Sequence, residues 1–138
     1  MRVDFYILSS DNLVQRDHFA CQIIEKAFLS HHKLFVATQS VDHAKQLDEL
    51  LWVFRPDSFV PHAQVGTTPA PIIIGTLADA RPGYDVLVNL SEQQPQVDAD
   101  VQRLIEIVPK VPEQQQSARE RFRQYRELGF ILHTHNIS

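Results

Sequence analysis

The chain has 138 residues, 43% of them hydrophobic and 22% charged, and a formal net charge of −4. This length predicts a single domain over residues 1–138, able to bury roughly two-thirds of its unfolded surface. The net negative charge argues against a broadly basic face for duplex DNA, but it is compatible with a local basic patch. Cys21 is the only cysteine, so no internal disulfide can form and nothing indicates an oxidising compartment.

The first residues, Met1 to Asp4, lead directly into a short apolar run, and no window of the chain approaches 18 apolar residues. This pattern is typical of neither a signal peptide nor a membrane span. The sequence therefore predicts a cytoplasmic protein without membrane contact.

The first third of the chain alternates strand and helix patterns. A strand is predicted over Val3 to Leu8, and apolar side chains at helical spacing follow over residues 17–31. A second strand is predicted over Lys33 to Thr38, after which Ser40 is a suitable N-cap for a helix through Leu51. This order indicates parallel strands joined by a right-handed crossover.

The second half continues the alternation. Ile72 to Ile74 and Asp85 to Leu90 are predicted strands, whereas Val101 to Val108 fits either a strand or a helix. A helix is predicted over Glu113 to Leu128, before a last strand over Phe130 to His133. The whole pattern predicts a three-layer α/β/α domain with a mostly parallel sheet and a Rossmann-like topology.

Glycine-rich phosphate-binding turns are missing from this otherwise nucleotide-like pattern. Only four glycines occur, and the first predicted strand leads into Ser9-Ser10-Asp11-Asn12. Neither a phosphate-binding loop followed by lysine nor a GxSxG elbow is present. We therefore expect no nucleotide site, no cofactor and no catalytic residue.

Two histidines near the C-terminus invite a metal-binding interpretation. His133 and His135 would share one face of an extended segment, but no cysteine or acid lies close to them in sequence. A surface pair without a metal is the favoured interpretation. Cys21 lies on the apolar face of the first predicted helix and is expected in the core.

The C-terminal helix carries an unusual excess of positive charge. Between Ser117 and Arg126 there are four arginines and one acid. At helical spacing, one stripe consists of Ala118, Phe122 and Tyr125, and an adjoining stripe consists of Arg119, Arg123 and Arg126. Arg121 is predicted to point elsewhere. The arginine stripe fits either a solvated charged face or a docking site for carboxylate or phosphate groups.

A second feature is the cluster of large apolar residues at the end of the second helix. The only tryptophan, Trp52, and two phenylalanines, Phe54 and Phe59, occur there, close to Val60 and Pro61. Four prolines between Phe54 and Pro71 predict a long loop. The cluster either packs beneath this loop or forms an exposed partner surface, and the second interpretation is slightly favoured.

Both segments resemble the chi subunit family of bacterial DNA polymerase III. The central segment matches through Leu47-Asp48-Glu49, Leu51-Trp52 and Ser58-Phe59-Val60-Pro61-His62. The C-terminal segment matches through Val108-Pro109, Ala118-Arg119-Glu120-Arg121-Phe122, Tyr125-Arg126 and Gly129-Phe130. This sequence departs from the familiar pattern at Phe122 and Arg123, where tyrosine and lysine are usual.

The resemblance implies a non-catalytic accessory subunit with two protein partners and mainly indirect contact with DNA. One is the psi subunit, which tethers chi to the clamp loader, and the other is the acidic C-terminal tail of single-stranded DNA-binding protein. Carried over by position, the tail pocket would comprise Val108, Arg119, Phe122, Arg123 and Arg126. The psi side, which the resemblance also assigns to helicase partners, would comprise Trp52, Phe59, Val60 and Pro61.

Two alternatives remain open at this point. An α/β enzyme or a nucleotide- or phosphate-binding protein would use the arginine helix as an anion site. Direct binding of single-stranded DNA would use the arginines together with aromatic stacking.

Overall fold

A computed structural model of the protein describes residues 1–57, 59–66, 69–97 and 99–137. Within these residues, seven strands form one sheet in which every pairing is parallel. The strands are β1 (Arg2–Leu8), β2 (Leu34–Thr38), β3 (Ala63–Gln64), β4 (Ile72–Thr76), β5 (Val86–Asn89), β6 (Arg103–Val108) and β7 (Ile131–Ile137). The helices are α1 (Leu13–Leu29), α2 (Val41–Val53) and α3 (Pro112–Glu127), with a short 3-10 turn at Leu77–Asp79.

The spatial order of the strands is β3-β4-β2-β5-β6-β1-β7. Strand β1 therefore lies between β6 and β7, the two strands that come last in sequence. At the opposite end, β3 contributes only two residues beside β4. The edges of the sheet are thus a short strand on one side and the seven-residue β7 on the other.

Side chains that alternate along each strand build two apolar layers. One layer joins Leu34, Val36 and Ile105 of the sheet to α1 and α2, and Cys21 is completely buried in it, as predicted. The other layer joins Val3, Phe5 and Leu104 to Ala118 and Tyr125 of α3. The predicted three-layer architecture is confirmed, and its sheet is parallel throughout.

Caps explain where the helices begin. The side chain of Ser40 accepts a hydrogen bond from the His43 amide at 3.0 Å, so this predicted N-cap is confirmed. Helix α1 begins at Leu13, four residues before its predicted start, because the Asn12 side chain caps the Gln15 amide at 3.0 Å. Leu13 is exposed, and apolar periodicity therefore gives no sign of this first turn.

The remaining differences concern strands. The ambiguous segment before α3 is strand β6, and β7 continues four residues beyond His133 to Ile137. The loop predicted over 54–71 contains the two-residue strand β3 but otherwise has no regular strand or helix in its described part. Within the described residues, no helix is both long and apolar enough to cross a membrane.

Candidate partner-binding surfaces

Helix α3 lies on the sheet through one apolar stripe, as its sequence predicted. Ala118 and Tyr125 are buried, and Phe122 is half-buried with its ring 5.3 Å from that of Phe5 on β1. After α3 the chain turns sharply, because Gly129 has a φ of +83° and the Phe130 amide donates to the Tyr125 carbonyl at 3.1 Å. This turn returns the chain to the sheet as β7.

A pocket of about 300 Å³ opens between α3 and the β1–β7 side of the sheet. Its walls are mostly apolar, and among the described residues only Arg119 brings a charged side chain to them. The lining residues are Phe5, Ile7, Val108, Gln115, Ala118, Arg119, Phe122 and Thr134. Three of the five residues assigned to the tail pocket, Val108, Arg119 and Phe122, therefore share one cavity. Arg123 and Arg126 do not line it.

Part of the remaining pocket wall comes from strands β1 and β7, which the sequence motifs did not assign to it. Phe5 and Thr134 are register partners on β1 and β7, far apart in sequence. Alternation along β1 places Phe5 and Ile7 on the α3 face. The aromatic opening strand was a usable signal for Phe5, but Thr134 could be found only from the topology.

Arg121 points away from the pocket and into the protein, where it binds Glu106 of β6. Its Nε donates to Glu106 Oε2 at 3.0 Å and its Nη2 to Oε1 at 3.1 Å. Tyr125 donates to the same carboxylate at 2.6 Å, and Asn89 of β5 does so at 3.1 Å. Arg121 also donates to Ser117 Oγ and to the Glu92 carbonyl. This network holds α3 in a fixed rotation over the sheet.

The ionisation of this network follows from its burial. Complete burial raises the pKa of Glu106, while the charge of Arg121 and the hydrogen bonds from Arg121, Tyr125 and Asn89 act in the opposite direction. Burial and the neighbouring Glu106 also raise the pKa of Tyr125, which keeps its hydroxyl protonated as a donor. Glu106 lies on β6, far from α3 in sequence, so the spacing of charges along the helix did not predict this partner of Arg121.

The other three arginines of α3 form an exposed stripe. Arg119, Arg123 and Arg126 are all exposed, and none forms an ion pair with another residue that the structure describes. Since exposed ion pairs are a common use of helix charges, their absence here leaves positive charge available beside the pocket. We call Arg119, Arg123 and Arg126 the arginine stripe.

An apolar surface lies at the end of α2, on the other side of the sheet. Trp52 is 45% exposed and Phe59 73% exposed, and their ring centroids are 5.5 Å apart. Val53 beside them is 71% exposed. We call Trp52, Val53 and Phe59 the aromatic surface. The structure thus favours the exposed interpretation of this cluster, although Phe54 packs partly against the core.

Val60 and Pro61, the other two residues assigned to the psi side, lie beneath the aromatic surface. Val60 is only 1% exposed and belongs to the core, while Pro61 is half-buried. The His62 ring contacts the Val60 carbonyl at 2.6 Å and the Asp48 carbonyl at 2.9 Å, which ties the loop to α2. Ser58, part of the central sequence match, lies outside the described residues.

His135, one of the two C-terminal histidines, has a partner that sequence proximity did not predict. His135 Nε2 lies 2.8 Å from Asp4 Oδ1 of β1, and its ring stacks on Tyr6 at 4.7 Å. Asp4 is fully buried and also binds Arg103 of β6 at 2.8 Å. Among the described residues, no group of three or more histidine, cysteine or acidic side chains could hold a metal ion.

Buried polar residues near the N-termini of α1 and α2 bind one another. Arg16 is 2% exposed and its Nε lies 2.9 Å from Asp17 Oδ1. Asp17 in turn lies 3.0 Å from His43 Nε2, and the Gln39 amide lies 3.1 Å from the Nδ1 of His43. The fold defines this chain as a three-layer α/β protein with a parallel sheet.

The particular family follows from comparison with known proteins. The family model described as DNA polymerase III chi subunit, HolC, matches residues 1–133. The chain belongs to this family, which gives it a role in DNA replication as part of DNA polymerase III. The resemblance seen in the two sequence segments is confirmed.

Curated relatives agree with the family model. The chain is 32% identical over 137 residues to DNA polymerase III subunit chi of Pseudomonas aeruginosa, covering 99% of this chain and 96% of that protein. It is 32% identical over 137 residues to the subunit of the same name from Haemophilus influenzae, covering 96% and 95%. For the Escherichia coli subunit the identity is 30% over 138 residues, covering 94% of each chain.

A solved structure shows the same fold at low sequence identity. The crystal structure of T4 UvsW superimposes with a TM-score of 0.72 and 9% identity over 99% of this chain. The chain spans only 41% of the length of that protein. This likeness supports the fold alone.

Proposed function

We propose that this chain links the psi subunit of DNA polymerase III to the acidic C-terminal tail of single-stranded DNA-binding protein. The observation that carries the proposal is the pocket where Val108, Arg119 and Phe122 meet beside the arginine stripe. An apolar cavity with unpaired guanidinium groups at its side suits a chain that ends in an aromatic residue and a carboxylate. The role is that of an adaptor, without a catalytic residue or a cofactor of its own.

In this mechanism the terminal phenylalanine enters the pocket, where it contacts Phe122 and Val108. Arg119 binds the terminal carboxylate, and Arg123 and Arg126 attract the acidic residues that precede it. A single contact of this size gives an affinity in the micromolar range. Several tails on a protein-coated strand raise the effective affinity without new contacts. Because the charges are exposed, added salt weakens the binding.

Calorimetric titration with a short acidic peptide that ends in phenylalanine tests the pocket. We expect Arg119→Glu to abolish binding and Arg123→Ala to weaken it by about tenfold or more, or about 1.4 kcal/mol. Arg81→Ala is the matched control, because Arg81 is exposed at a distant loop. The same peptide with an amidated C-terminus should also bind weakly, since it lacks the terminal carboxylate.

Unchanged affinity in the folded Arg119 and Arg123 variants would exclude the pocket. Direct binding of single-stranded DNA predicts tight binding to a bare oligonucleotide, and loss of that binding in the arginine variants would favour this alternative. A large thermal stabilisation by a nucleotide would instead favour a phosphate-binding protein or an enzyme.

We further propose that the aromatic surface binds the psi subunit, and that helicase partners share this site. Trp52 and Phe59 supply exposed aromatic area, whereas buried Val60 and half-buried Pro61 fix the loop that presents Phe59. Exposed aromatic residues that lie together are typical of binding hot spots.

Co-purification with psi tests this surface. Phe59→Ala should release psi while leaving tail binding unchanged, because the pocket lies on the opposite face of the sheet. Leu29→Ala is the control, since Leu29 is also a large exposed apolar residue, at 67%, but lies at the end of α1. Recovery of psi at the wild-type yield with Phe59→Ala would contradict the assignment.

A further inference from the structure

Strand β7 leaves one side of its backbone available. The Ile131 amide donates to the Met1 carbonyl at 2.9 Å, and the Ile137 carbonyl accepts from the Ser9 amide at 3.1 Å. In a parallel pair, every second residue directs both its N–H and its C=O to the same neighbour. The alternate residues Leu132, Thr134 and Asn136 therefore direct their N–H and C=O groups away from β1. Among the described residues, no strand lies on that side of β7.

This edge lacks the usual protection against an added strand. Proteins commonly cover a sheet edge, shorten it, or place lysine or proline in it. The opposite edge, β3, has two residues, but β7 has seven, with the sequence ILHTHNI and no proline or lysine. Ile131 at its start is 64% exposed. The edge is long enough for a short extended peptide.

The same edge adjoins the pocket and the arginine stripe. The Thr134 side chain lines the pocket, and Leu132 packs in the apolar layer on the α3 side. A peptide strand next to β7 would direct every second side chain towards α3. Backbone pairing and contact with the arginine stripe are therefore compatible in one peptide conformation.

The direction of such a peptide follows from the positions of the arginines. Helix α3 is joined to β7 by a tight turn, so the Arg126 end of the helix adjoins the start of β7. Arg119, which lines the pocket with Thr134, lies further along β7. A C-terminal aromatic residue in the pocket, preceded by acids beside Arg126, must run in the same direction as β7.

We propose that the acidic tail binds as an eighth parallel strand on β7. This inference rests on the proposed function, since it concerns the same peptide and the same pocket. The terminal aromatic side chain lies over Thr134, and acidic side chains at every second position face the arginine stripe. Hydrogen bonds from Leu132 and Thr134 then supply affinity that is independent of the tail's sequence.

Peptides with a single backbone N-methyl group test the added strand without changing the protein. Methylation removes one N–H donor, so binding should fall by about tenfold or more at positions whose N–H faces β7. At the intervening positions, whose N–H faces solvent, binding should change little. Amide hydrogen exchange should also slow at Leu132 and Thr134 when the unmethylated peptide is added.

The two proposals fail in distinguishable ways. No binding of the unmethylated peptide would contradict the proposed function itself. Normal binding with the same effect of methylation at every position, and unchanged exchange at Thr134, would overturn only the added strand.

Discussion

At the scale of single residues, Glu106 and Arg121 show how the chain fixes the helix that carries the proposed site. Glu106 is completely buried, and Arg121 is 6% exposed. A buried ion pair is costly to form but still more costly to break, because the remaining charge loses its partner. The pair therefore specifies the rotation of α3 and keeps Arg121 out of the exposed stripe.

Arg121→Met should lower the free energy of unfolding by about 3–5 kcal/mol, because it leaves the Glu106 carboxylate buried without its counter-charge. Arg123→Met is the matched control and should change it by less than about 0.5 kcal/mol, since Arg123 is exposed. Urea unfolding followed by circular dichroism measures both. Equal effects of the two substitutions would contradict a structural role for the Arg121 pair.

Cys21 should be inert towards thiol reagents in the folded protein. Burial raises the pKa of its thiol to about 12, so almost no thiolate is present near neutral pH, and the side chain is also shielded from solvent. A chromogenic disulfide reagent should react with it only after urea is added. Rapid reaction in buffer alone would show that α1 opens readily.

At the scale of elements, the C-termini of α1 and α3 use the same turn with different residues. After α1, the His32 amide donates to the Ala27 carbonyl at 3.2 Å, and His31 has a φ of +68°. After α3, Gly129 occupies the equivalent position with a φ of +83°. A left-handed conformation suits glycine and is strained for histidine.

His31→Gly should therefore stabilise the protein by about 0.5 kcal/mol, since relief of strain exceeds the added entropy of the unfolded chain. Gly129→Ala should destabilise it by about 1 kcal/mol for the opposite reason. Urea midpoints of the two variants and the wild type give the comparison. A destabilised His31→Gly variant would show that the histidine side chain makes a compensating contribution.

Element positions were largely predictable because core-facing side chains repeat with the period of their structure. The exceptions are segments where burial gives no periodic signal. The first turn of α1 begins with exposed Leu13, and the end of β7 contains four consecutive polar residues, His133 to Asn136, at the sheet edge. Strand β3 is defined only by its pairing with β4, and no local sequence pattern predicts this pairing.

The candidate sites were likewise only partly predictable from the sequence. The arginine stripe and the aromatic surface are local in sequence, so helical spacing and composition identify them. The order of β1, β6 and β7 in the sheet determines the other features. It brings Phe5 and Thr134 together in the pocket wall and places Glu106 beside Arg121. Sequence motifs without an explicit sheet topology could not bring these residues together.

At the scale of the whole molecule, Asp4 joins strands β6, β1 and β7 on the face of the sheet opposite α3. It binds Arg2 on its own strand at 3.0 Å, Arg103 of β6 at 2.8 Å and His135 of β7 at 2.8 Å. Burial alone would raise the pKa of Asp4, but hydrogen bonds from Arg2, His135 and Arg103 outweigh it and lower that pKa from 3.8 to about 2.

Asp4 should therefore contribute to acid sensitivity in a definite pH window. Its pKa is lower in the folded state, so its stabilising effect is present above 3.8 and is lost as the pH falls towards about 2. The difference in unfolding free energy between wild type and Asp4→Asn should shrink over this range. If the variant does not fold, a carboxyl-carbon titration of the wild type by NMR should show a midpoint near 2.

The position of β1 between β6 and β7 has a consequence for the order of folding during synthesis. Strands β2 to β5 can pair with one another as they emerge, but Arg2 finds its partners only when Arg103 and Ile131 have been made. Such long loop closures are slow steps. Because Phe5 and Thr134 both line the pocket, the proposed binding site is complete only after β7 has been synthesised and has paired with β1.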